Sequence, residues 1–549
     1  VKIVNKNNNF IKKVTYVIFL LFFLIGIYTY KDYGISVDEE FERRVGFYWL
    51  EYVLSLTTFD NFHNSALLKL NEISGLTLPE AKDNKFYGVI FSLPMAFLEV
   101  VFEINDSKEY FHLRHLFNFL LFFVSSIFFY KLLLNRFLKY NIALLGTLFF
   151  ILSPRIYGHS FFNNKDIVFL SLVTIALYFC VKAFEKESYK NLLIFSIFAA
   201  ICTSSRILGI IFPISFMLFY FLSFFQEDKN LKKIIFFIIS YFVFLIIFWP
   251  ALWENPIENF FLAFKYFSDL QGFNIKMFFN GEYISTNFLP YSYIFTWILI
   301  TTPILYILLF LIGYFYIFKK FFIRFINIKE KSNYPDLWRD INEKQDLFIL
   351  FILTSVIFYL ITFNVILYTG WRQIYFLHVF IIYISVCGFY KIHLNLKSKI
   401  KSNIQFGFIG LFLIFIVYKM TIYHPYQNLY FNSVFNKEAH NKFEVDYWGL
   451  TGKKFLESVL FLEKNKKSIK IGVASFMPLE RSLKLLSKEE REKIIIVGQD
   501  YEKADYIYAV FISEVDINSN DKYKIPSNFT TINEFILDNI KIYEVYKKI

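Results

Sequence analysis

Long apolar segments recur along this chain of 549 residues, and they limit the folds that it can adopt. A run of about 17 or more mostly apolar residues is long enough to cross a bilayer as an α-helix. We predict eleven spans, at residues 14–30, 112–132, 140–153, 167–183, 191–205, 207–225, 234–250, 293–317, 347–364, 372–390 and 403–420. The third is short, so a tilted or partly re-entrant course stays open for it. The pattern indicates a polytopic α-helical membrane protein with about 11 transmembrane helices.

Two apolar segments are assigned from their flanking residues. Residues 14–30 follow several lysines but lack a small-residue cleavage site, so we predict a retained anchor rather than a signal peptide. Residues 86–104 are interrupted by Pro94, Glu99 and Glu103. We therefore predict an interfacial helix there, with a span as the alternative.

Lysine and arginine concentrate in alternate short loops, at residues 131–139, 182–190, 229–233, 319–324 and 391–401. Because such loops face the cytoplasm, we predict a cytoplasmic N-terminus in an inner or plasma membrane. An odd number of spans then places everything after Met420 outside. The formal net charge of +12 follows from these loops and gives no reason to expect a nucleic-acid partner.

The composition divides the chain into two parts. Residues 1–420 form the predicted transmembrane domain, with extracytoplasmic loops at 31–111 and 251–292. Residues 421–549 alternate β-like and helical runs, which predicts a small extracytoplasmic α/β domain. The β-like runs are 469–474, 493–497, 506–511 and 540–545, and the helical runs are 453–463 and 479–486.

The sequence contains little that suits metal, nucleotide or serine-hydrolase chemistry. Cys180, Cys202 and Cys387 fall inside predicted helices and form no Cys/His ligand spacing. The first outer loop has no Asp-x-Asp pair, and the chain has no Walker loop and no Gly-x-Ser-x-Gly elbow. We therefore expect neither a metal site nor a cofactor.

Ionisable side chains cluster at the predicted outer ends of the spans, where they usually mark a site. Between two apolar segments lie Arg155, His159, Lys165 and Asp166. Arg206 and Arg372 lie at two further outer ends. Four cations from three loops could converge on a lipid phosphate, which suits guanidinium forks. The alternative is that each cation anchors its helix by snorkelling, and His115 at another outer end is interpreted as such an anchor.

Carboxylates open the first outer loop, at Asp38, Glu39 and Glu40. A carboxylate near cations at a membrane surface can act as a general base. The alternative is structural, because Ser36 and Glu39 have the spacing of a capping box. Both can be true together, since a cap would direct Asp38 from a rigid helix start.

One carboxylate with several cations matches glycosyl transfer from a lipid-linked phosphosugar. The leaving group is already an anion, so the reaction needs a base for the acceptor hydroxyl and fixed positive charge for the departing phosphate. Attack opposite the leaving group would invert the anomeric carbon.

Short sequence pieces, in order between about residues 30 and 450, resemble the membrane glycosyltransferases of the GT-C class, family 39. This group includes protein O-mannosyltransferases and lipid A aminoarabinose transferases, and the likeness is greatest to their less characterised bacterial relatives. The pieces are Val37–Glu39, Arg114–Asn118, Ser153–His159, Asn164–Asp166, Arg206–Gly209, Gly281–Tyr283, Leu289–Pro290, Gly370–Arg372, His424–Gln427 and Asp446–Gly449.

The resemblance implies a GT-C-like fold, a polyprenyl-phosphate-linked sugar donor and transfer on the outer face. It implies that Asp38 is the catalytic base, with Asp166 as a second carboxylate. The candidate site comprises the carboxylates Asp38, Glu39 and Asp166 and the phosphate-binding residues Arg155, His159, Lys165, Arg206 and Arg372. The C-terminal domain differs from the sugar-binding modules of better-known members, so a lipid, glycan or protein acceptor stays open.

Two other functions stay open beside a hexosyl- or pentosyltransferase. A flippase or transporter of a lipid-linked glycan could use the same cations without chemistry, and an envelope assembly protein could be non-catalytic. Transporters usually carry Gly/Pro-broken helices in matched halves. The sequence shows no such pairing, which favours the enzyme.

Overall fold

The computed structural model describes residues 2–74, 85–224, 230–268, 275–326, 337–396, 398–437, 439–475, 478–510 and 521–549. Four positions used in the predictions, Phe225, Lys229, Lys397 and Phe511, lie outside these ranges.

Helices make up most of the described chain. They are α1 (Lys2–Thr29), α2 (Glu39–Ser55), α3 (Asp60–Ser74), α4 (Ser92–Val101), α5 (Ser107–Phe137), α6 (Tyr140–Ile151), α7 (Pro154–Phe162), α8 (Asp166–Glu185), α9 (Tyr189–Ser205), α10 (Ile211–Phe224), α11 (Leu231–Phe248), α12 (Pro256–Ser268), α13 (Tyr293–Thr301), α14 (Ile304–Ile326), α15 (Ile341–Thr362), α16 (Leu377–Asn395), α17 (Lys399–Tyr423), α18 (Gly452–Leu462), α19 (Glu480–Leu483) and α20 (Lys488–Lys493). Two strands, β1 (Lys276–Phe279) and β2 (Glu282–Ser285), form a hairpin in the later outer loop.

The apolar segments form a helical membrane domain, as predicted. Among the described residues, eight helices are long and apolar enough to cross a bilayer, or nine if α6 and α7 count as one bent span. Two shorter apolar helices, Tyr189–Ser205 and Ile207–Ser223, cover two more of the predicted spans. The chain is therefore a multi-pass membrane protein, while the count of eleven spans stays a prediction.

The third predicted span, at residues 140–153, ends at a sharp bend, as a broken span or a re-entrant loop would. Helix α6 ends at Ile151, and α7 leaves it at an angle of 64°. The cause is Pro154, which starts α7 and keeps the preceding Ser153 in an extended conformation. The bend sets α7, with its polar residues, at a steep angle to α6.

Three predicted helix boundaries need correction. The predicted span 293–317 is two helices, because Pro303 cannot donate a backbone hydrogen bond and Thr302 before it is extended. The predicted span 372–390 begins its α-helix only at Leu377, and Arg372 lies in a preceding 3-10 turn. Of the predicted interfacial segment 86–104, only Ser92–Val101 is helical.

Opposite ends of the bundle carry different charge networks. At one end, the Arg136 guanidinium donates to both carboxylate oxygens of Asp346, at 2.6 and 2.8 Å. Lys182, at the last turn of α8, donates to Asn135 at that same end. Asp166 begins α8, so it lies at the other end of that helix, where the candidate site residues gather.

The C-terminal region contains the predicted α/β domain. Its strands are β3 (Ile469–Ala474), β4 (Ile494–Gly498), β5 (Tyr506–Val510), β6 (Phe529–Leu537) and β7 (Ile540–Lys548). They form one sheet in the order β4-β3-β5-β7-β6, in which β3 is parallel to β4 and β5, and β7 is antiparallel to β5 and β6. Strand β6 was not predicted, because most of its residues are exposed and give no apolar alternation. The helix predicted at 479–486 spans only Glu480–Leu483.

Candidate active site

Helix α2 begins with a run of charged residues, and four of them have partners on other parts of the chain, namely Glu39, Glu40, Glu42 and Arg43. The Glu39 carboxylate contacts His115 Nε2 on α5 at 2.9 Å. Glu42 forms an ion pair with Lys165 at 3.1 Å, from the loop between α7 and α8. These contacts, all to elements distant in sequence, fix the start of α2 in place.

Two further pairs complete the attachment of α2. Arg43 donates to Glu99 of α4 at 2.8 Å, and the same carboxylate accepts from Arg114 of α5 at 2.6 Å. Glu40 pairs with Lys484 and, at 3.6 Å, with Arg481 of the C-terminal domain. Buried charges are stable only when they are paired, so this network defines a single position for α2.

The capping box at the start of α2 is half formed. The Glu39 carboxylate accepts a hydrogen bond from the Ser36 backbone N–H at 2.6 Å, as predicted. The Ser36 hydroxyl instead donates to the Phe162 carbonyl at 3.3 Å, and Asp38 is the N-cap residue. Glu39 is fully buried, so its position serves the helix start, whereas Asp38 remains partly open.

Asp38 is the accessible carboxylate of the candidate site. Its side chain is 28% exposed, compared with 1% for Asp166, and it accepts a hydrogen bond from the Arg372 guanidinium. Burial by itself raises the pKa of Asp38, but the adjacent Arg372 and Lys165 charges outweigh burial and lower it below its usual value. Asp38 is therefore ionised at neutral pH.

Arg372 connects the two candidate carboxylates. Its Nη1 lies 3.9 Å from Asp166 as well as against Asp38. The guanidinium also lies over the rings of Tyr368 and Trp448, at 4.6 and 4.7 Å from their centroids. Its Nε is buried and has no hydrogen-bond partner among the residues that the structure describes. Arg372 thus keeps one donor free for a ligand.

Asp166 is buried in a polar corner at the start of α8. It accepts hydrogen bonds from Arg206 and, at 2.9 Å, from Asn163. Arg206 also donates to the Gln373 carbonyl at 3.0 Å, while its Nε has no partner within the described ranges. Asp166 therefore orients Arg206 beside Arg372.

Lys165 is the second cation near Asp38. Its ammonium lies 4.1 Å from the centroid of the Tyr87 ring and pairs with Glu42. Burial lowers the pKa of Lys165, but the carboxylates of Glu42 and Asp38 raise it by more, so the group stays protonated. The predicted residues Asp38, Lys165, Asp166, Arg206 and Arg372 thus form one cluster, which we call the carboxylate–cation cluster.

Arg155 and His159 lie on α7, next to the carboxylate–cation cluster. The Asn163 amide, which donates to Asp166, also contacts His159 Nδ1 at 3.2 Å. Arg155 donates to the Tyr430 carbonyl at 3.1 Å and lies over the ring of Phe431, with no carboxylate partner among the described residues. His159 contacts the Tyr375 hydroxyl at 3.2 Å and is fully buried. Arg155 is not part of the ion pairs of the cluster, and the convergence of all four predicted cations on one ligand stays a prediction.

Trp448 links the two groups and was not predicted as a site residue. Its ring contacts His159 at a centroid distance of 5.3 Å and also lies beneath Arg372. Asp446 fixes this segment, because its buried carboxylate accepts from the hydroxyl and the backbone N–H of Thr451 at 2.6 and 2.9 Å. Burial raises the pKa of Asp446 to about 6, against the effect of these hydrogen bonds.

Other residues of the site were also missed or misread from the sequence. Glu42 escaped notice, although the dense run of charges from Asp38 to Arg44 was a signal. His115 was interpreted as an interfacial anchor, but it is fully buried and bound to Glu39. Its partner lies far away in the sequence, and local pattern could not reveal it.

The described residues contain no group of three or more His, Cys, Asp or Glu side chains placed to hold a metal ion. The chemistry that the cluster can perform rests on one open carboxylate, one buried carboxylate and three cations. Such a set can bind a phosphate and accept a proton next to it.

Comparison with known proteins agrees with this geometry. The sequence profile of the family described as dolichyl-phosphate-mannose-protein mannosyltransferase matches residues 93–253. The matched part of the chain is therefore similar to this family of membrane glycosyltransferases. It includes Lys165, Asp166 and Arg206 but neither Asp38 nor Arg372. No curated protein sequence matches the chain.

Two solved structures align with much of this chain at low sequence identity. The apo oligosaccharyltransferase of Archaeoglobus fulgidus aligns with 77% of this chain at 10% identity and a TM-score of 0.44, and the alignment spans 62% of that protein. ArnT from Cupriavidus metallidurans, bound to undecaprenyl phosphate, aligns over 97% of both chains with 10% identity and a TM-score of 0.44.

Proposed function

We propose that this protein transfers a sugar from a polyprenyl-phosphate-linked donor to an acceptor on the extracytoplasmic face, with inversion at the anomeric carbon. The observation that carries the proposal is the contact of Asp38 with Arg372, with Lys165 beside them. The donor class is supported by the description of the matched family, whose donor is dolichyl-phosphate mannose. The acceptor is a lipid, a glycan or a protein.

Asp38 is the proposed general base, rather than Glu39 or Asp166. A base must reach the acceptor hydroxyl, and Asp38 is the most exposed of the three. Glu39 is fully buried against His115, and Asp166 is buried against Arg206. Their contacts support positioning roles for these two carboxylates.

Lys165, Arg206 and Arg372 are the proposed phosphate-binding residues. Arg206 and Arg372 each have a buried Nε without a partner in the described part of the chain, and charge-assisted hydrogen bonds from such donors favour a phosphate. Fixed positive charge of this kind stabilises the leaving phosphate more than the intact donor, because charge develops there in the transition state. Arg155 and His159 are proposed to line the deeper side of the same site.

The proposed transfer reaction needs no protein groups other than the base Asp38 and the phosphate-binding cations. The acceptor oxygen forms a bond to the anomeric carbon while the bond from that carbon to the phosphate oxygen breaks. The acceptor proton passes to the Asp38 carboxylate, and the polyprenyl phosphate departs as an anion against Arg372 and Lys165. No general acid is needed, because the leaving group does not require a proton.

Donor binding should also activate the base. In the free protein Arg372 is bound to Asp38 and lowers its pKa, which makes the carboxylate a weak base. A donor phosphate competes for the same guanidinium. As Arg372 turns to the phosphate, the proton affinity of Asp38 rises at the moment when the base is needed.

The test compares the purified protein with Asp38→Asn, using labelled polyprenyl-phosphate sugars as donors. We expect turnover to fall about 10²- to 10⁴-fold, because the base is lost, while donor binding is retained. Asp32→Asn is the matched control, since Asp32 lies in the same loop but pairs with His424 at 2.9 Å. Equal turnover of Asp38→Asn and wild type would exclude Asp38 as the base. Donor binding without turnover in the wild type, whatever the acceptor, would favour the transporter.

A further inference from the structure

The C-terminal domain reaches the first outer loop next to Asp38. Lys484 and Arg481 both pair with Glu40, two residues after Asp38 in the chain. Leu485 packs into an apolar cluster with Ile35, three residues before Asp38. The domain therefore touches the loop on both sides of the proposed base.

Additional contacts fix this part of the domain on the membrane domain. The Lys484 carbonyl accepts from the Ser107 hydroxyl at 2.8 Å, and Arg491 donates to that hydroxyl at 3.0 Å. Arg491 also forms an ion pair with Asp106 at 2.8 Å. Because Asp106 and Ser107 start the long helix α5, the segment is attached to a rigid element.

The charges at this contact also bear on Asp38. The Arg481 guanidinium is close enough to Asp38 to favour its ionised form, in addition to Arg372 and Lys165. Because Glu40 is a like charge on the same helix start, we expect it to have the opposite effect on Asp38. Arg481 and Glu40 form an ion pair with each other, and we expect the cation to lower the pKa of Asp38 and the carboxylate to raise it.

We propose that Arg481, Lys484 and Leu485 of the C-terminal domain are positioning residues for Asp38, and that Arg481 also contributes positive charge to the site. They direct the carboxylate by fixing the start of α2 from outside the membrane domain. This inference rests on the proposed function, since it assigns these residues to the same base. It gives the C-terminal domain a part in the transfer reaction itself.

The experiment measures the acid side of the pH profile of kcat/KM in Arg481→Gln and Glu40→Gln. Both variants loosen α2, so kcat should fall about tenfold in each, with little change in the KM for the donor. The midpoint of the acid limb should rise by roughly half a unit in Arg481→Gln, because the carboxylate loses a stabilising cation. It should fall in Glu40→Gln, because the carboxylate loses a neighbouring negative charge.

Three further variants make the result decisive. Arg481→Lys keeps the charge and should keep the wild-type midpoint, and Glu40→Gln combined with Arg481→Gln should return the midpoint toward the wild-type value. Lys503→Gln is the control, since Lys503 is an exposed cation of the same domain that pairs with Asp500. If Arg481→Gln does not accumulate, Lys484→Gln replaces it as the test of positioning, with the same expected fall in kcat, and Glu40→Gln tests the shift of the midpoint.

Shifts of the same sign in the two single variants, or no shift in either, would overturn the inference. The proposed function fails in a different way, namely if Asp38→Asn retains turnover. An inactive Asp38→Asn together with an Arg481→Gln that behaves as wild type would remove only the role of the C-terminal domain.

Discussion

At the scale of single residues, the site is an ion pair between Asp38, whose carboxylate is partly exposed, and Arg372, whose guanidinium has a further N–H donor available for a ligand. Asp38 is ionised because cations outweigh the effect of its burial. Arg372 keeps its place through aromatic contacts with Tyr368 and Trp448, so it does not depend on Asp38 alone. A planar fork held between rings can exchange one anionic partner for another without moving far.

The pH dependence of Arg372→Gln follows from this pair. A cation beside a carboxylate favours its ionised form, so removing Arg372 raises the pKa of Asp38. A smaller fraction of the base is then deprotonated at any acid pH. We expect the acid limb of kcat/KM to move to higher pH by about one unit or more, in addition to a loss of donor affinity.

The pH profile of kcat/KM reports the pKa values of groups in the free enzyme, where the ion pair of Asp38 and Arg372 is intact. Arg339→Gln is a suitable control, because Arg339 is exposed at the opposite end of the bundle. If the acid limb of the kcat/KM profile stays at its wild-type pH in Arg372→Gln, the titration of Asp38 does not control the rate, and Asp38 is not the base.

At the scale of elements, the site depends on close helix packing elsewhere. Helices α14 and α16 approach at Gly313 and Gly388, each facing the backbone of the other helix. A Cβ on Gly313 would lie 2.0 Å from the Ile384 carbonyl oxygen, and one on Gly388 would lie 2.0 Å from that of Leu309. Small residues permit such contact in membrane helices, where dispersion forces stabilise packing.

Gly388→Ala should therefore lower the free energy of unfolding by about 2 kcal/mol, because the added methyl group forces the two backbones apart. Thermal unfolding in detergent would measure the change, with Gly313→Ala expected to behave alike. Gly410→Ala is the matched control, since a Cβ there meets nothing within 4 Å. Equal midpoints for Gly388→Ala and Gly410→Ala would contradict the packing described here.

At the scale of the whole molecule, the carboxylate–cation cluster and the basic loops lie at opposite ends of the bundle. Asp166 starts α8 at one end, and Lys182 lies in the last turn of the same helix. The positive-inside rule then predicts that the cluster faces outward together with the C-terminal domain. The transfer reaction would take place outside the cytoplasm.

Cysteine labelling in intact cells tests this orientation. Cys180, Cys202 and Cys387 are free but buried, so a membrane-impermeant maleimide should not reach them in the folded protein. We expect the reagent to label Lys503→Cys in the C-terminal domain but not Lys186→Cys in an inner loop. Both positions are exposed, and permeabilised cells should give labelling of both. The reverse pattern would place the cluster in the cytoplasm.

Much of the architecture was predictable because its signals are local. The apolar segments 112–132 and 167–183 fall within helices α5 and α8, and three of the four predicted strands match strands of the sheet closely. The helix ends before Pro154 and Pro303 were not predicted outright, because a proline can either kink or end a helix. For the span before Pro154, a tilted or re-entrant course was predicted only as an alternative. Strand β6 was missed because an edge strand with exposed faces lacks an apolar pattern.

The sequence by itself determined the membrane-spanning class of this protein, the kinds of residue at the outer helix ends and the candidate carboxylate Asp38. These features rest on hydropathy and charge, which act at each position whatever the rest of the chain does. Only the tertiary structure decided that Arg372, 334 positions away, contacts Asp38 while Arg155 does not. Ion pairs between distant segments depend on how helices pack, and packing is a property of the whole molecule.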